Sequence, residues 1–221
     1  MDEQQQRDDD GQPTLEGCFA PDGTDLTLIE WFLRRTPGER LQTAQSMVDL
    51  VAAARHIDEA EPLPVLRALH DHAVEFVVVG ALAAILEDAP INTFDVAVVY
   101  QGEPTNLERL LAALTELDAT YRDATGRFIR PDLERLATNR INLLQTPVGV
   151  LDAMTEIAPG WRFEDLVERS RRMEIWGMNL RVLNLASLIE SKGAVGRPMD
   201  HAVMLVLRNS LEMRRNQGSY L

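Results

Sequence analysis

Lysine and cysteine each occur once in the 221 residues, as Lys192 and Cys18. One cysteine rules out an internal disulfide and a cysteine-based zinc site. A catalytic thiol needs an electropositive setting, whereas Cys18 lies beside Gly17 in a polar leader with no histidine nearby in sequence. Positive charge is also scarce: 22 basic against 35 acidic residues give a net charge of −13. That balance argues against broad contact with DNA or RNA, where affinity comes largely from cations on phosphates. A small phosphorylated ligand held together with a cation remains compatible with it. Long apolar runs are missing too. Phe76–Val79 and Val96–Tyr100 fall far short of the ~20 residues of a membrane span. Met1-Asp2-Glu3 followed by three glutamines has neither the basic start nor the apolar stretch of a signal peptide, so the expected location is cytoplasmic, with no membrane partner.

What the chain does have is an ordinary apolar content, 45%, enough to bury a core. Residues 1–25 read as a flexible tail, rich in glutamine, aspartate, glycine and proline without periodicity. A helical segment follows over 26–73. Thr36-Pro37-Gly38-Glu39 predicts a capped helix start, with proline at the first position and Glu39 closing the capping box. A third helix after Pro62 or Pro64 carries Leu63, Leu66 and Leu69 on one face. At Val74 the pattern changes, and 74–216 reads as one domain. Val74–Val79 and Phe94–Tyr100 are buried strands, Ala81–Asp88 and Asn106–Leu117 helices. Weaker strands are predicted at Arg127–Ile129, Ile141–Leu144 and Val148–Met154, and a helix at Phe163–Arg172. A hairpin around Gly177 and helices after Asn184 and Pro198 complete the chain. The class is α/β, a mixed sheet of about five strands flanked by helices, with an N-terminal helical extension.

The chemistry concentrates in Val79-Gly80-Ala81 and, thirteen residues on, Asp95-Val96-Ala97-Val98. Glycine between a strand and a helix lets the backbone approach a ligand, and free amides at the helix start suit phosphate. A carboxylate on the adjacent strand can hold a divalent ion bridging phosphate oxygens. Alternating acids on one strand share a face, the arrangement of two-metal phosphoryl transfer. Histidine metal binding is not expected: His70 and His72 do not share a helix face, and His56 and His201 have no visible partner. Arg169, Arg171 and Arg172 read as a structural cluster in a last helical turn.

This series resembles the minimal nucleotidyltransferase superfamily, closest to its bacterial nucleotidyltransferase-like and toxin-associated branch. The resemblance spans roughly 26–208. Phe76–Ala84 fits the turn, Thr93-Phe94-Asp95 the first acid, Gly149-Val150-Leu151-Asp152 the strand of the third acid, and Leu188–Lys192 and Gly196–Asp200 the last helices. It implies a nucleotide at Gly80, Ala81 and Lys192, with Asp95 and Asp152 as catalytic and metal-binding acids for magnesium. The departures are as informative. Ala81 replaces the second turn residue, Glu87-Asp88 stands for a histidine-glycine, Ile91 for an arginine, and Ala97 for the second aspartate. Losing that acid removes a ligand from both metal positions, so the resemblance implies a catalytically degenerate binding or regulatory module. Magnesium would then bind weakly or not at all, and the partners would be a nucleoside triphosphate or another protein. The alternative is an active magnesium-dependent enzyme moving a nucleoside monophosphate to a small-molecule or protein acceptor. Structural readings stand beside these: Asp95 as a turn cap or ion-pair partner, Gly80 as a plain turn, Asp152 as a paired acid, Lys192 as a solvated helix residue.

Overall fold

The computed structural model describes residues 19–55, 62–91, 93, 95–123, 127–195 and 200–218. Cys18, His56 and Phe94, and the tail expected up to residue 18, lie outside them. Residues 19–25, drawn as the end of that tail, form a turn closed by a Phe19–Asp25 bridge, with Asp22 accepting from Asn209 Nδ2 at 2.8 Å. Three helices follow: α1 (Leu26–Leu33), α2 (Pro37–Arg55) and α3 (Pro62–Asp71). The start of α2 is the expected capping box. Thr36 N–H donates to Glu39 Oε2 at 2.7 Å, and Glu39 N–H donates back to Thr36 Oγ1 at 3.3 Å.

The remaining elements alternate between strands and helices. They are β1 (Phe76–Val79), α4 (Gly80–Leu86), β2 (Asp95–Tyr100), α5 (Pro104–Glu116), β3 (Thr120–Tyr121) and α6 (Leu133–Thr138). Then come β4 (Ile141–Thr146), β5 (Gly149–Met154), α7 (Phe163–Glu168), β6 (Ser170–Ile175), β7 (Met178–Leu183), α8 (Leu185–Val195) and α9 (Asp200–Gly218). The described strands make one mixed seven-stranded sheet in the order β3-β4-β5-β2-β1-β7-β6, so the fold is α/β with helices flanking the sheet. β1 and β2 are antiparallel, while β2–β5 and β1–β7 are parallel. The central strands are β-branched and buried on both faces, as the runs Phe76–Val79 and Val96–Tyr100 require. Val65, Leu66 and Leu69 of α3 join the same core. No described helix is long and apolar enough to cross a membrane.

Two local expectations fail. The helix predicted over Phe163–Arg172 stops at Glu168, and 170–175 is a strand paired along its whole length with β7. Arginine's helical propensity is weak beside six residues of ladder pairing. Arg171 and Arg172 are therefore strand residues rather than a last helical turn. The strand predicted at Arg127–Ile129 is also absent. There Ile129 O only accepts from Tyr121 N–H at 2.8 Å, and Arg127 turns back to Asp123 at 3.0 Å.

Glu87 and Asp88, just past α4, are almost fully buried, yet neither is isolated. Asp88 pairs with Arg40 of α2, Glu87 with Arg171 of β6, and Arg214 of α9 reaches both at 2.8 and 3.3 Å. Glu87 Oε2 also accepts from Leu185 N–H at the start of α8, at 3.2 Å. Arg40 donates further to Leu86 O at 2.7 Å and Phe32 O at 3.1 Å. Burial pushes the Asp88 carboxyl up despite Arg40 and Arg214, and pushes the Arg40 guanidinium down despite Asp88. Desolvation thus outweighs attraction within the pair, which acts as a positional lock more than as a source of net stability.

Gly80 sets the turn from β1 into α4. Its φ is +68°, and a Cβ there would meet Ala97 Cβ at 3.1 Å. Gly80→Ala should cost about 1–2 kcal/mol from the left-handed conformation, with added strain against Ala97, read from urea denaturation. Arg40→Leu should cost about 3–5 kcal/mol, because Asp88 loses its main counter-charge in a dry site. The double change Arg40→Leu/Asp88→Leu should recover a large part of that loss. If the double variant were as unstable as the sum of the singles, the pair would not be the lock.

Candidate functional site

The register of β2 and β5 assembles the acids. Asp95 and Ala97 are two residues apart in β2 and so share a face. Ala97 is the cross-strand partner of Asp152 in β5, and Asp95 that of Val150. Asp95, Ala97 and Asp152 therefore project from one face of the sheet. Gly80 stands over the same place, since Val79 partners Ala97 on the other side. Ala97 presents only a methyl between the two carboxylates and is 9% exposed.

Both acids are engaged by the protein itself. Thr93 Oγ1 donates to Asp95 Oδ1 at 2.7 Å. Asp152 forms an ion pair with Arg122, a residue that the sequence reading missed. The two are thirty positions apart and meet through strand order. Arg122 N–H donates to Leu143 O at 2.9 Å, extending the β3–β4 ladder, and Leu143 is the cross-strand partner of Asp152. Arg122 thus reaches Asp152 from two strands away on the same face. No local pattern in Thr-Tyr-Arg announces this. Burial pushes the Asp152 carboxyl up, Arg122 pulls it down, and Asp95 adds to the rise.

The donor set falls short of a two-ion site. Ala97 contributes no oxygen, and one of Asp152's oxygens faces a guanidinium. Among the described residues no group of three or more histidine, cysteine, aspartate or glutamate side chains could hold a metal. The other predicted residues lie on helices. Ala81 lies half-buried in the first turn of α4. Lys192 is half-buried in α8, which packs principally against α4 and α9. Ile91 packs against the core. Glu87 and Asp88 belong to the arginine lock and not to this face.

The face stays open on its β4 side. Leu143 beside Asp152, and Ile141 beside Met154, are 44% and 46% exposed.

Neither a family profile nor a curated protein sequence matches the chain. Among solved structures it is similar to a candidate nucleotidyltransferase from Thermotoga maritima, with 20% identity over 72% of this chain and 98% of that one, TM-score 0.43. It is also similar to the antibiotic-resistance factor ANT(2'')-Ia, with 13% identity over 68% of this chain and 80% of that one, TM-score 0.43.

Proposed function

We propose that this is a nucleotidyltransferase-fold protein without transfer chemistry, serving as a binding or regulatory module. The observation that carries the reading is the Arg122–Asp152 ion pair. A guanidinium supplies positive charge next to the third acid, where a metal-dependent enzyme would place a cation. Unlike a metal ion, it is tethered to the chain and offers no coordination position to a phosphate oxygen or an attacking group. Ala97 adds to the same effect, because catalysis of phosphoryl transfer rests on positioning and charge neutralisation. Magnesium binding is accordingly weak at most, and a nucleoside triphosphate meets two carboxylates without enough compensating charge. The exposed Ile141 and Leu143 favour a protein partner on this face.

The direct test is calorimetric titration with ATP and magnesium beside a labelled-nucleotide transfer assay. The unmodified chain should transfer nothing. Ala97→Asp alone should gain little, because Arg122 still holds Asp152. Ala97→Asp/Arg122→Ala should gain magnesium-dependent nucleotide binding. Transfer by the unmodified protein that disappears in Asp95→Ala would establish an active enzyme instead.

The ion pair also has a pH signature. Folding raises the Asp152 pKa, so its contribution to stability is full below the unfolded value of about 3.9 and is lost as pH rises through the folded pKa. Arg122→Leu removes the cation that limits this rise. The variant should match the wild type near pH 3.5 and fall progressively below it by about pH 7, in urea midpoints taken across that window. An equal deficit at every pH would mean that Arg122 acts through packing rather than through Asp152.

A further inference from the structure

The opposite end of the sheet carries a second concentration of charge, of the sign this chain otherwise lacks. A pocket of about 230 Å³ opens between the end of α3, the start of β1, α5 and the β6–β7 hairpin. Arg109, Arg172 and Arg181 line it with His70, Glu75 and Asn179. Arg172 and Arg181 are direct cross-strand partners. Like charges in that position repel, and opposite charges or neutral pairs are the stabilising choices. Among the described residues none of the three arginines forms an ion pair, and Arg109 donates to the neutral Ala73 carbonyl at 3.3 Å. His70 is already paired with Asp71. The lining holds three arginines, of which Arg109 and Arg172 are exposed, and one carboxylate, Glu75, an excess of two positive charges. Glu174, two residues beyond Arg172 on the same strand face, lies outside the lining.

Several arginines elsewhere are used differently. Arg40, Arg122, Arg171 and Arg214 each meet a carboxylate. In a chain with 35 acids for 22 bases, three arginines without an ion pair among the described residues gather around this one hollow. They converge from two structural layers, Arg109 from a helix and the other two from strands, so no single amphipathic element explains them.

We propose that this pocket binds a small phosphate monoester. Guanidinium forks match the phosphate's oxygens in pairs. A phosphate monoester carries close to two negative charges near neutral pH, equal to the excess in the lining. The volume is below the ~300 Å³ lower end of drug-sized pockets, which suits a phosphate with a short organic group. Asn179 adds an amide for a hydroxyl of that group. The site is separate from the Asp95–Asp152 face, and the proposal stands whether or not that face handles nucleotides.

The test is titration of the full chain with glycerol phosphate, inorganic phosphate and a phosphoserine peptide, followed by amide NMR shifts and thermal midpoint. Sodium chloride at matched ionic strength serves as the control. Glycerol phosphate should bind saturably with Kd below about 1 mM, moving amides around Arg109, Arg172 and Arg181. Arg172→Gln/Arg181→Gln should weaken it at least about tenfold. The same variant should raise the midpoint in phosphate-free buffer, since it removes the cross-strand repulsion, a signature that mere loss of surface charge would not give. Arg67→Gln, outside the pocket, should leave binding unchanged. Shifts that follow ionic strength alone, or equal binding by the double variant, would overturn the site. Binding of the phosphoserine peptide alone would overturn the small-molecule assignment.

Discussion

The buried acids Glu87 and Asp88 tie together elements from both ends of the chain. They sit at the end of a seven-residue helix, where ionised carboxylates are expensive to desolvate, and they keep their place through Arg40, Arg171 and Arg214. Those arginines come from α2, β6 and α9, and the start of α8 adds a backbone donor. One short segment therefore fixes how the N-terminal helices, the edge hairpin and the C-terminal helices meet the sheet. It also anchors the far end of α4, whose near end is Gly80. The close approach of Gly80 to Ala97, and with it the geometry of the acid face, depends on where that helix is held.

On the acid face the same problem, uncompensated carboxylate, has a different solution. Asp95 stands near enough to raise the Asp152 carboxyl, and Arg122 and Thr93 each engage one oxygen of the two acids. A metal on this face would need those oxygens available. Here position 97 holds a methyl and the charge is neutralised from within. Apolar Leu143 and Ile141 lie at its edge, so the methyl of Ala97 and the Arg122 ion pair both reduce the number of free oxygens on this face.

How much of this was legible depends on the range of the forces involved. The capping box at Thr36 and the Asn184 start of α8 are hydrogen bonds within three residues, and the sequence states them directly. The valine-rich β1 and β2 announce themselves because both faces are buried. The alternation of Asp95 and Ala97 predicts a shared face, and register then brings Asp152 to it. By contrast, the first half of β6, Ser170–Arg172, reads as the end of a helix because Ser-Arg-Arg has no strand pattern; its identity comes from pairing with β7. Glu87–Arg171 spans 84 positions and Arg122–Asp152 thirty, so neither partner could be named before the topology was known. Glu87 and Asp88 registered only as departures from a motif, whereas their role lies in packing.

The account turns on whether Arg122 excludes a metal from the acid face, and paramagnetic broadening by manganese reads this without reference to activity. With the wild-type chain, manganese should leave the amides of Ala97, Val150 and Asp152 no more broadened than exposed surface acids. In Arg122→Ala the same three amides should broaden selectively. Selective broadening of those amides in the wild type, at manganese levels that leave other acids untouched, would contradict it.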